Sequence, residues 1–397
     1  MKKLLMIGAG FLQSYVIRKA KALGYWVEAL DGNRNAVGFQ YADNYSAVDI
    51  VNPYACLRYA ENAHIDGVLT AATDYGVVTT SYIAEKLGLP GLNLESAALI
   101  KNKFRTRSRL LERKIDGIDQ IYEIRKNDDI STLRKSLRYP VMVKPCDGSG
   151  SRGACMVSCE GELEQACRNA IGLSHIGSAI VESYIGGSEY GAEAIVIDGI
   201  PHVLAIIKKQ MTEPPFYAEL GHTIPNDLDS EVEANAIRLA ENVIRALGIN
   251  FGAVNMDLKI STSGEVHLVD IGARMGGNMI GSHIIPYGTG IDYMKGIICS
   301  AMGDSVNLSA GEKKAIASKL LAFRGGVVRR LPDFVALERE YEVEIHHHLS
   351  IGDIVHSYRS NLDGCGYVIA CGGDAEDVQR RAAFVRDKIE EYIFQES

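Results

Sequence analysis

The first hundred residues alternate short apolar runs with stretches of helical periodicity. Three apolar runs have the length of buried strands: Lys3–Ile7, Trp26–Leu30 and Gly67–Leu69. Between and after them, apolar residues recur at helical spacing over Leu12–Leu23, Pro53–Asn62 and Val77–Leu87. Strands that alternate with helices are typical of βαβ units, so this region predicts a Rossmann-like parallel sheet.

The pattern changes from about Lys101, where a basic helix over Lys101–Lys114 precedes a longer series of strands. We predict strands over Pro140–Lys144, Ala179–Glu182, Tyr190–Ile197, His202–Ile207, Gly252–Ile260 and Val266–Ile271. Helices are predicted over Gly161–Ile171, Ser230–Leu247 and Ala375–Phe394. The fold class is therefore α/β, and the absence of long linkers or low-complexity tracts predicts closely packed domains.

The strands Gly252–Ile260 and Val266–Ile271 form a predicted hairpin. With Ser263-Gly264 as a two-residue turn, the register places Thr262 opposite Glu265, Lys259 opposite Leu268, Asp257 opposite Asp270 and Asn255 opposite Gly272. The other face then carries Met256, Leu258, Ile260, Val269 and Ile271. One polar and one apolar face are typical of a half-buried hairpin, which supports this register.

The opposed acids of this hairpin are the most informative feature of the chain. Two carboxylates directly opposite each other repel, at a cost of roughly a few tenths of a kcal/mol or more. A divalent cation held by oxygen ligands would offset that repulsion, so Asp257 and Asp270 are candidate metal ligands. The alternative is an exposed pair tolerated in water, and the apolar strands around the pair favour the metal.

Three further segments could contact a polyanion. Arg274, in the turn after Asp270, suits bidentate binding of phosphate or carboxylate, unless it only pairs with Asp270. Lys144 ends an apolar strand, and the glycine-rich loop that follows, with Arg152, can bring backbone amides close to phosphate. That loop lacks the spacing of a P-loop. The segment from Glu182 to Glu189 offers backbone groups for a flat base and a carboxylate for ribose hydroxyls.

Two weaker motifs allow other hypotheses. Gly8 and Gly10 after the first strand, with Asp31 after the second, are compatible with NAD binding. Gln13 replaces the third glycine of that motif, so a tight turn is the favoured interpretation. The triplet His346–His348 raises the hypothesis of a metal site, but three neighbouring histidines on one short stretch lack ligand spacing.

Composition narrows the class of partner. The 397 residues carry a net charge of −8. This charge argues against nucleic acid as a partner and against a protein that binds membranes through a polybasic surface. No apolar run reaches the ~18–20 residues of a membrane span. The eight cysteines contain no C-x-x-C pair and are typical of reduced, mostly buried thiols. We therefore expect a cytoplasmic protein, and a homodimer is a fair expectation.

Taken in chain order, six segments resemble the ATP-grasp superfamily. The Gly-Ala-Arg-Met-Gly-Gly form of the last segment, together with Glu219-Leu-Gly-His222, is most similar to its carboxylate–amine ligase branch, which includes amino-acid and dipeptide ligases. The six segments are Asn102-Lys103, Tyr139–Pro145, Gly148–Gly153, Val181–Glu189, Gly252–Asp257 and Val269–Gly277.

The resemblance implies roles for individual residues. Lys103 and Lys144 would hold the phosphates of ATP, and Glu182 would face the adenine amino group. Backbone contacts would come from Tyr184 and Ile185, and Glu189 would bind the ribose. A mobile loop would close over the phosphates; its residues are Gly148, Ser149, Gly150, Ser151, Arg152 and Gly153.

The resemblance also implies a reaction centre. Asp257 and Asp270 would bind Mg²⁺, with Mn²⁺ as an alternative, and Arg274 would steady the transferred phosphoryl group. Lys209 would help to neutralise charge, and His222 would lie near the substrate, unless it only caps a loop. Many family members have Glu at Asp270 and Asn at Gly272, which leaves the number of metal ions open; Asn255 could substitute for the missing amide.

The resemblance further implies an organisation and an activity. Residues 1–100 would form a Rossmann-like N-terminal domain, residues 101–310 an ATP-grasp domain with a lid near 115–185, and residues 311–397 a C-terminal α+β portion. The activity would be ligation of a small carboxylate, expected to be an amino acid, to an amine, with release of ADP and phosphate. Specificity is expected in 210–225, around 282–289 and near 324–330.

Three competing functions remain at this point. One is activation of bicarbonate, as in carbamoyl phosphate synthetase or biotin-dependent carboxylation, although the chain is too short for two ATP-grasp units and nothing suggests a biotin carrier. Another is an NAD-dependent oxidoreductase that uses Gly8, Gly10 and Asp31. The last is a nucleotide-binding regulator without catalytic activity.

Overall fold

The computed structural model describes residues 1–395, whose strands form sheets of four, eight, two and four strands. The first is the predicted parallel sheet, in the order β3-β2-β1-β4. Its strands are β1 (Lys3–Ile7), β2 (Trp26–Asp31), β3 (Asn44–Ala47) and β4 (Gly67–Thr70). The accompanying helices are α1 (Phe11–Ala22), α2 (Pro53–Ala63) and α3 (Val77–Leu87), with a 3-10 turn at Val37–Tyr41.

The turn after β1 is fastened to Asp31. One carboxylate oxygen of Asp31 accepts a hydrogen bond from the Ala9 amide at 2.8 Å, and the other accepts from the Asn33 amide at 2.8 Å. Gly8 has a φ of 99°, which favours glycine. Because both oxygens of Asp31 are engaged by backbone amides, the geometry supports the tight-turn interpretation of this motif over the NAD hypothesis.

A second, antiparallel sheet of four strands has the order β5-β8-β6-β7. Its strands are β5 (Ile121–Arg125), β6 (Val141–Pro145), β7 (Cys155–Val157) and β8 (Ser178–Ser183). The helices of this region are α4 (Leu94–Ile100), α5 (Lys103–Glu112), α6 (Leu133–Ser136) and α7 (Glu160–Leu173). Leu163 and Ala170 of α7 pack on Val143 and Val181, which gives this sheet a core of its own.

The large sheet runs in the order β13-β12-β9-β10-β11-β14-β18-β16. Its strands are β9 (Ser188–Ile197), β10 (Ile200–Met211), β11 (Glu219–Ile224), β12 (Gly252–Ile260), β13 (Val266–Gly272), β14 (Ala315–Leu320), β16 (Val343–His347) and β18 (Gly366–Gly372). The short β15 (Gly326–Val327) and β17 (Ile354–Val355) pair separately. The sheet continues through the C-terminal strands, and the division of the chain at 100 and 310 stays a prediction.

Helices cover this sheet. They are α8 (Ser230–Ala246), α9 (Ile285–Thr289), α10 (Tyr293–Ala301), α11 (Phe334–Tyr341) and α12 (Ala375–Ile393), with a π-helical turn at Ile280–Ile284 and a 3-10 turn at Asn361–Asp363. One hydrophobic cluster contains Val16 and Ile17 of α1 together with Ile297 and Ile298 of α10. The same cluster includes residues of β1, β9 and β10, so the N-terminal sheet packs against the large sheet.

The hairpin register is confirmed at the two acids and wrong nearer the turn. Asp257 pairs with Asp270, as predicted, but Lys259 pairs with His267 rather than Leu268. The connection is the five-residue segment 261–265, and the register shifts between Asp257 and Leu258. A bulge, in which one strand has an extra residue, explains both results. The longer loop shifts the pairing near the turn by one residue, and the extra residue of the bulge shifts it back before the two acids.

The bulge also changes which residue is buried. Leu268 is 1% exposed and takes the core position that the sequence assigned to Val269. Val269 instead lines the cleft, so its predicted place on the apolar face is wrong.

In residues 1–395, no helix combines the length and the apolar character needed to cross a membrane. All eight cysteines are free, and Cys155 and Cys159 are exposed.

Candidate active site

An open cleft separates the loop after β6, the loop after β4 and the open end of the β12–β13 hairpin. Its empty volume, including space open to solvent, is about 1430 Å³. Predicted site residues that line it are Lys103, Lys144, Gly148, Ser149, Gly150, Ser151, Arg152, Glu189, Asp257, Asp270 and Arg274.

Asp257 and Asp270 are opposed on the cleft side of the hairpin, and each is matched by a lysine. Lys209 Nζ lies 2.5 Å from Asp257 Oδ1, and Lys103 Nζ donates to Asp270 Oδ2. The acidic side chains keep 33% and 37% of their surface exposed, so both carboxylates are reachable from the cleft. Opposed, reachable carboxylate oxygens are the ligand chemistry of Mg²⁺, and these two residues fit such an ion.

Opposite charges beside Asp270 and Lys209 hold both of these residues in their charged form. Burial would raise the pKa of Asp270, but the Lys103 ammonium outweighs it and holds the pKa below its usual range. Burial would likewise lower the pKa of Lys209, but the carboxylates of Asp257 and Glu219 hold it above its usual range. The Lys103–Asp270 pair is therefore ionic at neutral pH.

Arg274 contacts Asp74, so the alternative that it pairs with Asp270 is wrong. Its Nε lies 3.0 Å from Asp74 Oδ1 and its Nη2 3.3 Å from Asp74 Oδ2, a bidentate contact. Nη1 donates to Asn255 Oδ1 at 3.0 Å. Although burial opposes it, Asp74 raises the pKa of Arg274. Sequence reasoning missed Asp74; the available signal was its position after the end of β4, where sites of parallel sheets lie.

Glu193 is a second residue that the sequence did not reveal. It is fully buried on β9 and accepts hydrogen bonds from Asn255 Nδ2 at 2.9 Å, the Gly276 amide at 2.8 Å and the Tyr293 hydroxyl at 2.8 Å. Burial raises the pKa of Glu193 to about 7, although these hydrogen bonds oppose the rise. Glu193 orients the Asn255 amide so that its oxygen faces Arg274.

The next group surrounds Glu182, at the end of β8. Its carboxylate is 3% exposed and contacts Lys144 Nζ at 2.8 Å and Arg107 Nε at 2.7 Å. Arg107, which the sequence analysis missed, also reaches Asp116 at 3.1 Å. In this structure Glu182 positions Lys144, and its contact with an adenine amino group stays a prediction.

The Arg107 network extends to His267 and predicts a pH effect on stability. His267 Nδ1 lies 2.9 Å from Asp116 Oδ1, and the hydrogen bond with Asp116 raises the pKa of His267. A raised pKa stabilises the fold fully below the unfolded value of about 6.5, and the contribution is lost as pH rises through the folded pKa. We expect His267→Gln to lower the free energy of unfolding by about 1 kcal/mol at pH 6 and by less at pH 9, after allowance for solvent screening.

Urea unfolding at the two pH values measures this difference, with exposed His202→Gln as the matched control. An equal loss for His267→Gln at both pH values would show that the ion pair contributes nothing.

The remaining nucleotide residues lie around a smaller pocket beside the cleft. Glu182, Tyr184, Ile185 and Glu189 line it together with Lys144. Burial raises the pKa of Glu189, whose Oε1 lies 4.0 Å from Lys259 Nζ. In the glycine-rich loop, Gly150 and Gly153 have φ of 63° and 77°, and a Cβ at Gly150 would meet open space. The positive φ, rather than crowding, is therefore what favours glycine at position 150.

A polar corner lies beyond Lys209. Its Nζ is 2.6 Å from Glu219 Oε1, while Glu219 Oε2 accepts from Asn278 and lies 3.3 Å from His222 Nε2. Burial would raise the pKa of Glu219, but Lys209 holds it well below its usual range. Glu219 lines the cleft; His222 is fully buried within strand β11 behind it. The alternative that His222 caps a loop is therefore wrong, and its catalytic role stays a prediction.

The C-terminal part contributes to this corner through other residues than expected. Among its described residues, Asn361, Leu362 and Tyr367 line the cleft, whereas the segment 324–330 does not. The Tyr367 hydroxyl donates to Asn278 Oδ1 at 2.9 Å, which fixes the amide that contacts Glu219. Asn278 has a φ of 49°, in the left-handed region that asparagine adopts more readily than most residues.

Comparison with known proteins agrees with this geometry. Residues 137–282 match the family model of the ATP-grasp domain, and residues 319–393 match that of L-amino acid ligase C-terminal domain 2. The L-arginine-specific L-amino acid ligase of Bacillus subtilis is 21% identical over 328 residues, which cover 80% of this chain and 78% of that protein. Carnosine synthase 1 of Gallus gallus is 24% identical over 245 residues, 57% of this chain and 25% of that protein.

Solved structures with a similar fold include an L-amino acid ligase. The crystal structure of the L-amino acid ligase from Bacillus licheniformis superposes with a TM-score of 0.84 at 22% identity, covering 100% of this chain and 99% of that one. The chain spans between 25% and 56% of the length of the first three curated relatives that it matches. Two stretches of the chain thus match the ATP-grasp domain and the L-amino acid ligase C-terminal domain 2, on a fold similar to that of an L-amino acid ligase.

Proposed function

We propose that the protein joins the carboxylate of an amino acid to an amine at the cost of one ATP. The observation that carries the proposal is the pair Asp257 and Asp270, opposed on the hairpin and reachable from the cleft, with lysines and Arg274 around them. ATP-grasp enzymes use ATP with Mg²⁺. A magnesium ion held by these two aspartates would neutralise charge on the phosphates.

The cationic side chains suit phosphoryl transfer. Such transfer depends on positioning and charge neutralisation more than on covalent chemistry by the protein. Lys103, Lys144 and Arg274 line the cleft. Lys209 is not among the lining residues, but it contacts Asp257, which is. We infer that Lys103 and Lys144 hold the phosphates and that Arg274 steadies the phosphoryl group as it moves. The small pocket beside Tyr184 and Ile185 would take the adenine, and Glu189 the ribose.

The reaction has two steps. A carboxylate oxygen of the first substrate attacks the γ-phosphorus of ATP, the bond to the β,γ-bridging oxygen breaks, and ADP leaves. The amine nitrogen of the second substrate then attacks the carbonyl carbon of the acyl phosphate; phosphate leaves, and the amine loses a proton. The glycine-rich loop over the cleft would exclude water, which otherwise hydrolyses the acyl phosphate.

The amino-acid class of substrate is supported by the corner at Glu219 and by the relatives. Glu219 is ionised and lines the cleft beside Lys209, close to where a substrate would meet the phosphates. Two relatives are named for the ligation of L-amino acids and for carnosine synthesis. We place His222 as a buried neighbour that supports Glu219, because its Nε2 lies 3.3 Å from Glu219 Oε2.

A screen of paired acids and amines with Mg-ATP tests the proposal. We expect ADP and phosphate release in a one-to-one ratio only when an amino acid is present, with the amide product visible by mass spectrometry. ADP release with bicarbonate alone would favour the carboxylating alternative. Binding of ATP with no turnover across the panel would overturn the ligase proposal in favour of a regulator, and a thermal shift with NADH but not with Mg-ATP would favour an oxidoreductase.

A further inference from the structure

The histidine triplet separates into three different environments. The ring of His347 stacks on Phe334 with a centroid distance of 3.9 Å, and exposed His348 Nε2 lies 3.2 Å from the Gly364 carbonyl. His346 lies on the other face of β16 from His347, and Glu344 shares that face because it is two residues earlier. As its spacing predicted, the triplet does not form a set of metal ligands. His346 does, however, share its face of the strand with the carboxylate of Glu344.

A second histidine reaches the same point from a distant segment. His283, in the π-helical turn, has its Nε2 3.6 Å from Glu344 Oε2, and His346 Nε2 is 3.4 Å from that same oxygen. One ligand atom from each of the three residues lies within 4.8 Å of the others. Tetrahedral zinc with bonds of 2.0–2.1 Å places its ligand atoms about 3.3 Å apart, so two of the three separations already fit.

Each of the three side chains is also oriented from outside. The Tyr15 hydroxyl lies 2.9 Å from His346 Nδ1, and Ser282 Oγ lies 2.8 Å from His283 Nδ1. Tyr287 donates to the other carboxylate oxygen of Glu344 at 2.7 Å. Protein metal sites typically hold the second nitrogen of each histidine, and the carboxylate, in this way.

One atom at the centre has no partner. His346 Nε2 is buried and makes no hydrogen bond, although Glu344 Oε2 lies 3.4 Å away. A buried polar nitrogen without a partner costs free energy, so a ligand at this point would stabilise it. One nearby positive charge disfavours a bound metal cation. Arg18 faces the cluster, with its guanidinium 4.5 Å from the centre of the Tyr15 ring. The Glu344 carboxylate supplies the compensating negative charge.

We propose that His283, Glu344 and His346 form a zinc-binding site, separate from the Asp257 and Asp270 pair. Two imidazole nitrogens and one carboxylate suit Zn²⁺, and three protein ligands leave a fourth position for water. The oxygen-only pair in the cleft suits Mg²⁺ instead. Since His283 belongs to the π-helical turn and both Glu344 and His346 to β16, zinc would join that turn to the C-terminal strands.

Metal content of the full chain tests the proposal. Protein stripped with EDTA is loaded with ZnCl₂ in excess MgCl₂, freed of unbound metal by gel filtration and analysed by mass spectrometry for zinc. Because exposed Cys155 and Cys159 would bind zinc themselves, both are replaced by serine throughout. We expect about one zinc per chain, lost in His283→Ala and in Glu344→Gln and retained in the matched control His348→Ala.

A conservative variant keeps the test valid if an alanine variant fails to fold. Tyr15→Phe removes only the hydroxyl behind His346, and we expect it to weaken zinc binding by about 10–100-fold in a chelator competition. No zinc in the parent protein, or full zinc in His283→Ala, would overturn the proposal. Equal loss in His348→Ala would do the same. These readouts do not depend on ligase activity.

Discussion

Replacing Asp270 with asparagine should lower amino-acid-dependent ADP release by about 10²–10³-fold while the protein stays folded. The substitution keeps the size of the side chain and removes one of the two negative charges opposed on the hairpin. A magnesium ion held as proposed would then have a single carboxylate ligand, and Lys103 Nζ, whose side chain is 16% exposed, would lose its anionic partner. Steady-state rates at saturating Mg-ATP, with a magnesium titration for each variant, measure both effects.

Asp304→Asn is the matched control for this prediction. Asp304 is also an aspartate paired with a lysine, Lys2 at 2.6 Å, and it lies outside the cleft. We expect its rates to equal those of the unmodified protein. Undiminished turnover in Asp270→Asn would remove Asp270 from the metal site, and an equal fall in both variants would indicate general destabilisation instead.

Local pattern predicted most elements because the strands and helices of this chain have clear periodicity. The helix Val77–Leu87 and the strand Lys3–Ile7 were predicted at their observed bounds. The strand β3 was missed because Asn44–Ala47 is short and mostly exposed, so it carries little of the apolar pattern that identifies a strand. The hairpin shows a subtler limit, since a bulge at one residue cannot be recognised from alternation alone.

Long-range partners explain what sequence reasoning missed at the site. Asp74 and Arg274 are 200 residues apart, and Arg107 and Glu182 are 75 apart, so their ion pairs depend on how sheets dock. The predicted residues were those that a motif carries locally: the opposed acids, the glycine-rich loop and the lysine at the end of β6. Glu193 gave no local signal because a lone acid within an apolar strand identifies no particular partner.

Arg274→Lys should lower the rate of ADP release by about 10²-fold even though it keeps the positive charge. The guanidinium contacts both oxygens of Asp74 and the oxygen of Asn255 at once. A lysine ammonium is a single point donor and cannot hold this geometry. The exposed Arg138, paired with Asp119, supplies the control Arg138→Lys, for which we expect no change.

A double-mutant cycle with Asp74→Asn separates two explanations of that loss. If Arg274 only fastens the loop after β4 to the hairpin, removal of the Asp74 charge already breaks the contact, and adding Arg274→Lys should cost nothing more. If Arg274 also contacts the phosphoryl group, the second substitution should still lower the rate, by about tenfold or more. We expect the second result, because Arg274 lines the cleft beside Asp257 and Asp270 as well as contacting Asp74. The opposite outcome is an unchanged rate of ADP release in Arg274→Lys alone, with the effects of the two substitutions simply adding in the double variant. That result would show that the arginine has no part in the reaction.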